Sequence, residues 1–141
     1  MRLVGLLSLG WLLTGAVMQA QEPLQPVGTM RDVMVSMIYP AANDLLLFMH
    51  RSVPSDDREW AAVQRSAVLL GESGNLLMTR GRAVDQGQWM KDARLLVDVG
   101  AAAYKAARAR DASALAALDQ PLNASCVTCH KDYRPNVHPR Q

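Results

Sequence analysis

From Thr29 onward, apolar residues return at steps of three and four, and no stretch shows the sustained alternation of a strand. Met30, Met34, Met37, Ala41, Leu45 and Phe48 share one face of a helix over about 29–50. Thr29, with Asp32 three residues on, has the form of a capping box. Pro40 lies inside this run and is expected to kink or split it. A second stripe, Trp60, Val63, Ala67, Leu70, Gly74 and Leu77, follows Asp56 and Glu59 and predicts a helix over about 57–79. A third, Trp89, Ala93, Leu96, Gly100, Ala103 and Ala107, follows Asp85 and Gln88 and predicts a helix over about 86–110. Its small C-terminal residues would admit another helix, or a bulky planar group. Asp111 opens a fourth helix with Leu115, Leu118 and Leu122, which Pro121 is expected to bend one turn before Cys126.

Four helical segments with short joins predict an all-α fold, an antiparallel up-down-up-down four-helix bundle over residues 29–134. Residues 21–28, "QEPLQPVG", read as an extended leader, and residues 135–141, "PNVHPRQ", as a flexible tail with His138 exposed. The 141 residues suit one such domain. Apolar mass comes from Ala, Leu, Val and Met rather than aromatic residues, which favours helices. The charges are scattered and sum to +2, so nothing draws the chain to nucleic acid or an anionic membrane.

Residues 1–20, "MRLVGLLSLGWLLTGAVMQA", read as a signal peptide. Arg2 supplies the positive start, and Leu3 to Leu13 form an apolar run too short for a comfortable membrane span. Cleavage is expected after Ala20 or Ala16. No cysteine follows the apolar run to carry a lipid anchor, so the cleaved domain is expected free of stable membrane association. The expected location is exported, the periplasm if the source is bacterial.

Export sharpens the reading of Cys126 and Cys129, the chain's two cysteines. A bridge between them would close almost no loop and stabilise the fold little. A thioredoxin-like pair needs a preceding strand, and none is visible. A structural zinc site needs a fourth ligand beyond Cys126, Cys129 and His130, and neither His50 nor His138 has finger-like spacing. "CVTCH" instead has the form C-x-x-C-H, the attachment signature of c-type heme. Two thiols add to the two vinyl groups of the porphyrin as thioethers. On a helix, Cys126, Cys129 and His130 fall on one side, which sets His130 to be the proximal iron ligand. One covalent heme c is expected.

The fuller stretch "CVTCHKDYR", Cys126 to Arg134, adds x-x-Y-R to that motif and ends the last predicted helix. In this it resembles the class II c-type cytochromes, the cytochrome c-prime group and its low-spin relatives, over residues 27–134. Its opening, "MRDVMVSMIYPAAND", resembles a subgroup of exported members. The resemblance implies a bundle with heme near the C-terminus of the last helix and a first helix facing the sixth iron position. In low-spin relatives a methionine binds there. By position Met34 is the candidate, with Met37 and then Met30 as alternatives; core filling is the competing role of all three. Arg31 lies off the face of Met34 and is not assigned. The resemblance also implies Arg134 near a heme propionate and Tyr133 near the ring edge. Trp60 and Trp89 are expected in the core, and His50 at a helix end, capping carbonyls.

The implied function is a carrier of single electrons between redox partner proteins. No nucleophile–base pair suggests an enzyme. The alternative is a five-coordinate heme protein that binds nitric oxide or carbon monoxide, as in cytochrome c-prime. Relatives often dimerise, so a homodimer is the implied assembly.

Overall fold

Every regular element among the described residues is helical. The structure, a computed structural model, describes residues 24–51 and 53–134. The expected signal peptide over 1–20 with its cleavage sites, residues 21–23 of the leader, and the tail 135–141 with His138 lie outside them. Helix α1 spans Met30–His50, α2 Asp57–Leu77, α3 Gln88–Ala109, α4 Ala112–Ala116 and α5 Asp119–Tyr133. The four longer helices pack on one another: α1 on α2, α2 on α3, α3 on α5, with α5 also touching α1.

The helix starts follow the local chemistry. Thr29 Oγ1 accepts from the Asp32 N–H at 3.2 Å, and Asp32 returns the bond from the Thr29 N–H at 2.8 Å, which completes the capping box. Asp56 caps α2 through the Glu59 N–H at 2.8 Å, and Asp111 caps α4 through the Ala114 N–H at 2.9 Å. Helix α3 begins slightly later than its pattern predicts. Asp85 Oδ1 accepts from the N–H groups of Gly87 and Trp89, and that turn occupies the residues before Gln88.

The two prolines are accommodated in different ways. Pro40 does not split α1. The run passes through a π-helical segment, Met34–Ile38, in which the Tyr39 N–H bonds the Met34 carbonyl five residues back. Pro40 offers no N–H to the Ser36 carbonyl, and its ring crowds that group, so one wider turn accommodates it. At Pro121 the expected single bent helix is two helices. The Pro121 ring would crowd the carbonyl of Ala117, and the run stops there. Helix α5 then restarts with Pro121 in its first turn, where no N–H is needed.

Leu45, Val63, Leu70, Leu115 and Leu122 are fully enclosed, and Trp60 and Trp89 lie in the core as expected. Trp89 Nε1 donates to the Leu77 carbonyl at 2.7 Å, so its one polar group is satisfied inside. The small residues of α3 receive a helix, not a planar group. A Cβ placed on Gly100 would stand 2.5 Å from the Gly71 nitrogen and 2.6 Å from its Cα. Gly74 meets Val97 and Ala93. Contacts therefore climb α2 as they descend α3, and the two helices run antiparallel.

This contact is asymmetric, which yields a test. A Cβ on Gly71 finds only ordinary contacts at 3.6 Å. Gly71→Ala should be neutral or stabilising by up to about 1 kcal/mol from helix propensity. Gly100→Ala carries the same gain but meets backbone that cannot swing aside, and should cost about 1–3 kcal/mol net. Guanidinium unfolding midpoints of the two variants measure the difference.

Candidate functional site

Helix α5 turns Ser125, Cys126, Cys129 and His130 into a cavity of about 270 Å³. Helix α1 supplies the facing wall with Met34, Val35, Ile38, Tyr39 and Ala42. Leu77 of α2 and Asp92, Ala93 and Leu96 of α3 close the depth, and Arg134 stands at the end of α5. A second cavity of about 450 Å³ adjoins it, lined by Met30, Arg31, Met34, Val35, Trp89, Cys129, His130, Tyr133 and Arg134. Met34, Val35, Cys129, His130 and Arg134 border both. Residues about ninety positions apart in sequence thus share one apolar recess.

The three methionines part company here. Met34 borders both cavities and Met30 the second, while Met37 borders neither and packs on the core. The π segment explains the separation. It begins at Met34, and in its wider turn a step of three completes less of a revolution than in an α-helix. Met37 still packs against the core with Met30 and Met34, but it lines neither cavity.

Both thiols are free and half-buried. Burial pushes the Cys126 thiol up, opposed by the Ser125 hydroxyl. Cys129 is pushed up to about 11, chiefly by burial, then by the charges of Asp92, Cys126 and Asp132. A redox dithiol depends on a thiol that ionises more readily than usual, so these upward shifts oppose the thioredoxin-like reading. No group of three or more His, Cys, Asp or Glu side chains converges as a metal site among the described residues, which weakens the zinc reading. His50 is occupied elsewhere. Its Nε2 lies 2.9 Å from Asp119 Oδ1 at the start of α5, so it joins two helix ends through a carboxylate instead of capping carbonyls.

Tyr133 pins the end of α5 to the start of α3. Its hydroxyl donates to the Asp85 carboxylate. Its ring meets Trp89 edge-on, with centroids 4.9 Å apart and planes at 83°. The Tyr133 hydroxyl is the main cause holding the Asp85 carboxyl below its usual range, helped by the Gly87 N–H. The same bond pushes Tyr133 up to about 12. Arg134 is exposed, and its N–H closes the helix on the His130 carbonyl at 2.8 Å.

Sequence reasoning missed Asp92. It is 1 % exposed. Oδ1 accepts from Gln88 Nε2 at 2.8 Å, while Oδ2 is enclosed and finds no hydrogen-bond partner among the described residues. The available signal was positional. Asp92 stands three residues after Trp89 and four before Leu96, inside an apolar stripe where a charge is out of place.

The chain matches no protein-family model, no curated protein and no solved structure. The site is read from its own residues.

The Tyr133–Asp85 bond gives a pH signature. Tyr133 titrates above its ordinary value of 10.0, so the bond stabilises the fold below that pH and is lost as pH rises toward about 12. Asp85 titrates below its ordinary 3.8, so its contribution is present above that pH and lost as pH falls below it. Tyr133→Phe should remove the alkaline loss and return the Asp85 titration toward its usual range. Urea midpoints across pH for both proteins check this; superimposable profiles would mean the bond contributes nothing.

Proposed function

We propose that this chain is an exported monoheme cytochrome of the class II kind, which passes single electrons between redox partner proteins. The observation that carries the reading is the shared recess, with Cys126, Cys129 and His130 on one wall and Met34 on the other. The residues fit the group. The thiols are free, the lining is mostly apolar, and one buried carboxylate oxygen in the wall lacks a partner. An antiparallel up-down-up-down bundle is the topology this reading adopts, supported by the α2–α3 pair and the short connections.

Heme, when bound, supplies an iron that accepts and releases one electron. Cys126 and Cys129 would hold it through thioethers, and His130 would supply an imidazole nitrogen to the iron. Met34 would offer its thioether to the iron, which would favour a higher potential than an open site. Ile38, Leu77 and Leu96 keep water from the recess. Arg134, which lines the second cavity, would meet a propionate, and the Tyr133 bond to Asp85 steadies the helix end that carries His130.

A five-coordinate gas-binding protein is the second reading. Val35 and Ile38 favour it, because both border the Met34 cavity and an apolar side chain over iron leaves no sixth ligand.

Optical spectra of the purified protein in both oxidation states separate these readings. The carrier predicts sharp low-spin bands in the ferrous form, unmoved by carbon monoxide. A broad high-spin spectrum that shifts with carbon monoxide would instead support gas binding. Met34→Ala should convert low-spin to high-spin iron; an unchanged spectrum would assign the sixth position to another group. Heme should stay on the chain through denaturation, and its release would overturn covalent attachment at Cys126 and Cys129.

A further inference from the structure

We propose that Asp92 sets the reduction potential of the site, as a buried negative charge that favours the oxidised iron. The inference rests on the heme reading above. Asp92 is the one acidic residue lining either of the two adjoining cavities among the described residues. The two arginines there, Arg31 and Arg134, are exposed, so solvent screens them. Asp92 is enclosed, and its charge acts through protein rather than water.

Helix α3 holds the carboxylate firmly. Gln88, one turn earlier, binds Oδ1 at 2.8 Å, and Trp89 beside it is anchored to the Leu77 carbonyl. Oδ2 is left without a partner among the described residues. A buried carboxylate satisfied on one side only is costly, and isolated helix packing gives no reason for it. A positive centre in the same cavity would offset that cost. Oxidised heme iron carries one more positive charge than reduced iron, so a fixed anion nearby stabilises the oxidised form more. Asp92 lines the same cavity as Cys126, Cys129 and His130.

Asp92 thus counterweights Met34. Thioether ligation raises the potential, the buried carboxylate lowers it, and the balance fixes which partners can deliver electrons.

Spectroelectrochemical titration of the heme-loaded protein tests the inference. At the potential where wild type is half reduced, Asp92→Asn should show a ferrous-to-ferric ratio about tenfold higher, which is about 59 mV for one electron. Asp92→Glu should remain within about twofold of wild type. Gln88→Ala removes the donor that partly neutralises Oδ1 and should shift the ratio the opposite way. Gln88 is exposed, so this variant reads the effect even if Asp92→Asn does not fold. An unchanged ratio in Asp92→Asn, or a Gln88→Ala shift that is absent or toward the ferrous form, would overturn the role of Asp92. A wild-type protein without covalent heme would overturn the heme reading itself.

Discussion

Backbone touches backbone where Gly71 meets Gly100, and the deep wall of the cavity depends on that approach. Two helices of about twenty residues are drawn together with no side chain between them at that point. Dispersion contacts between such close surfaces are individually small and collectively large. The pair is then fixed again near the end of α2, where Trp89 reaches from α3 to the Leu77 carbonyl. Leu77, Asp92, Ala93 and Leu96 sit in this second region and form the depth of the cavity. The wall is built on rigid helices rather than loops, the placement that holds a site to its geometry.

Against that wall, the two prolines arrange the elements that bring chemistry. Both present the same problem, a ring pressed on the carbonyl four residues earlier. In α1 the chain continues through a wider turn, because Met30–His50 has apolar partners along its length that reward continuity. Before α5 the run ends and restarts, which frees α5 to choose its own angle. The π segment decides which methionine reaches the recess. The restart decides the direction from which the two thiols and His130 enter it. The backbone exceptions, more than the regular helices, determine the contents of the site.

That distinction explains what the sequence disclosed. Thr29 with Asp32, the stripes through Leu70 and Leu96, and the shared face of Cys126, Cys129 and His130 are local consequences of helical period and capping, so they were legible. Met37 was misplaced because a uniform period cannot register one widened turn. The bond from Tyr133 to Asp85 joins residues 48 positions apart, and nothing local in either announces the other. The His50 contact with Asp119 is of the same kind. Asp92 lay in plain view within a stripe, yet a charge between apolar neighbours reads as an exposed edge until the packing on both sides is known.

The electrostatics of the recess bear on how the thiols would fare in an oxidising compartment. In an oxidising compartment, neighbouring cysteines are exposed to disulfide exchange, and the attacking species is the thiolate. Burial and the Asp92 charge both disfavour that species at Cys129, and burial does so at Cys126. On the heme reading, the thiol is the form whose S–H bond would add across a vinyl group to leave a thioether. The same carboxylate that would bias the iron toward oxidation therefore also slows oxidation of the sulfurs that would carry it. On the heme reading one buried charge would act in both directions, because Asp92 lines the same cavity as Cys126, Cys129 and His130.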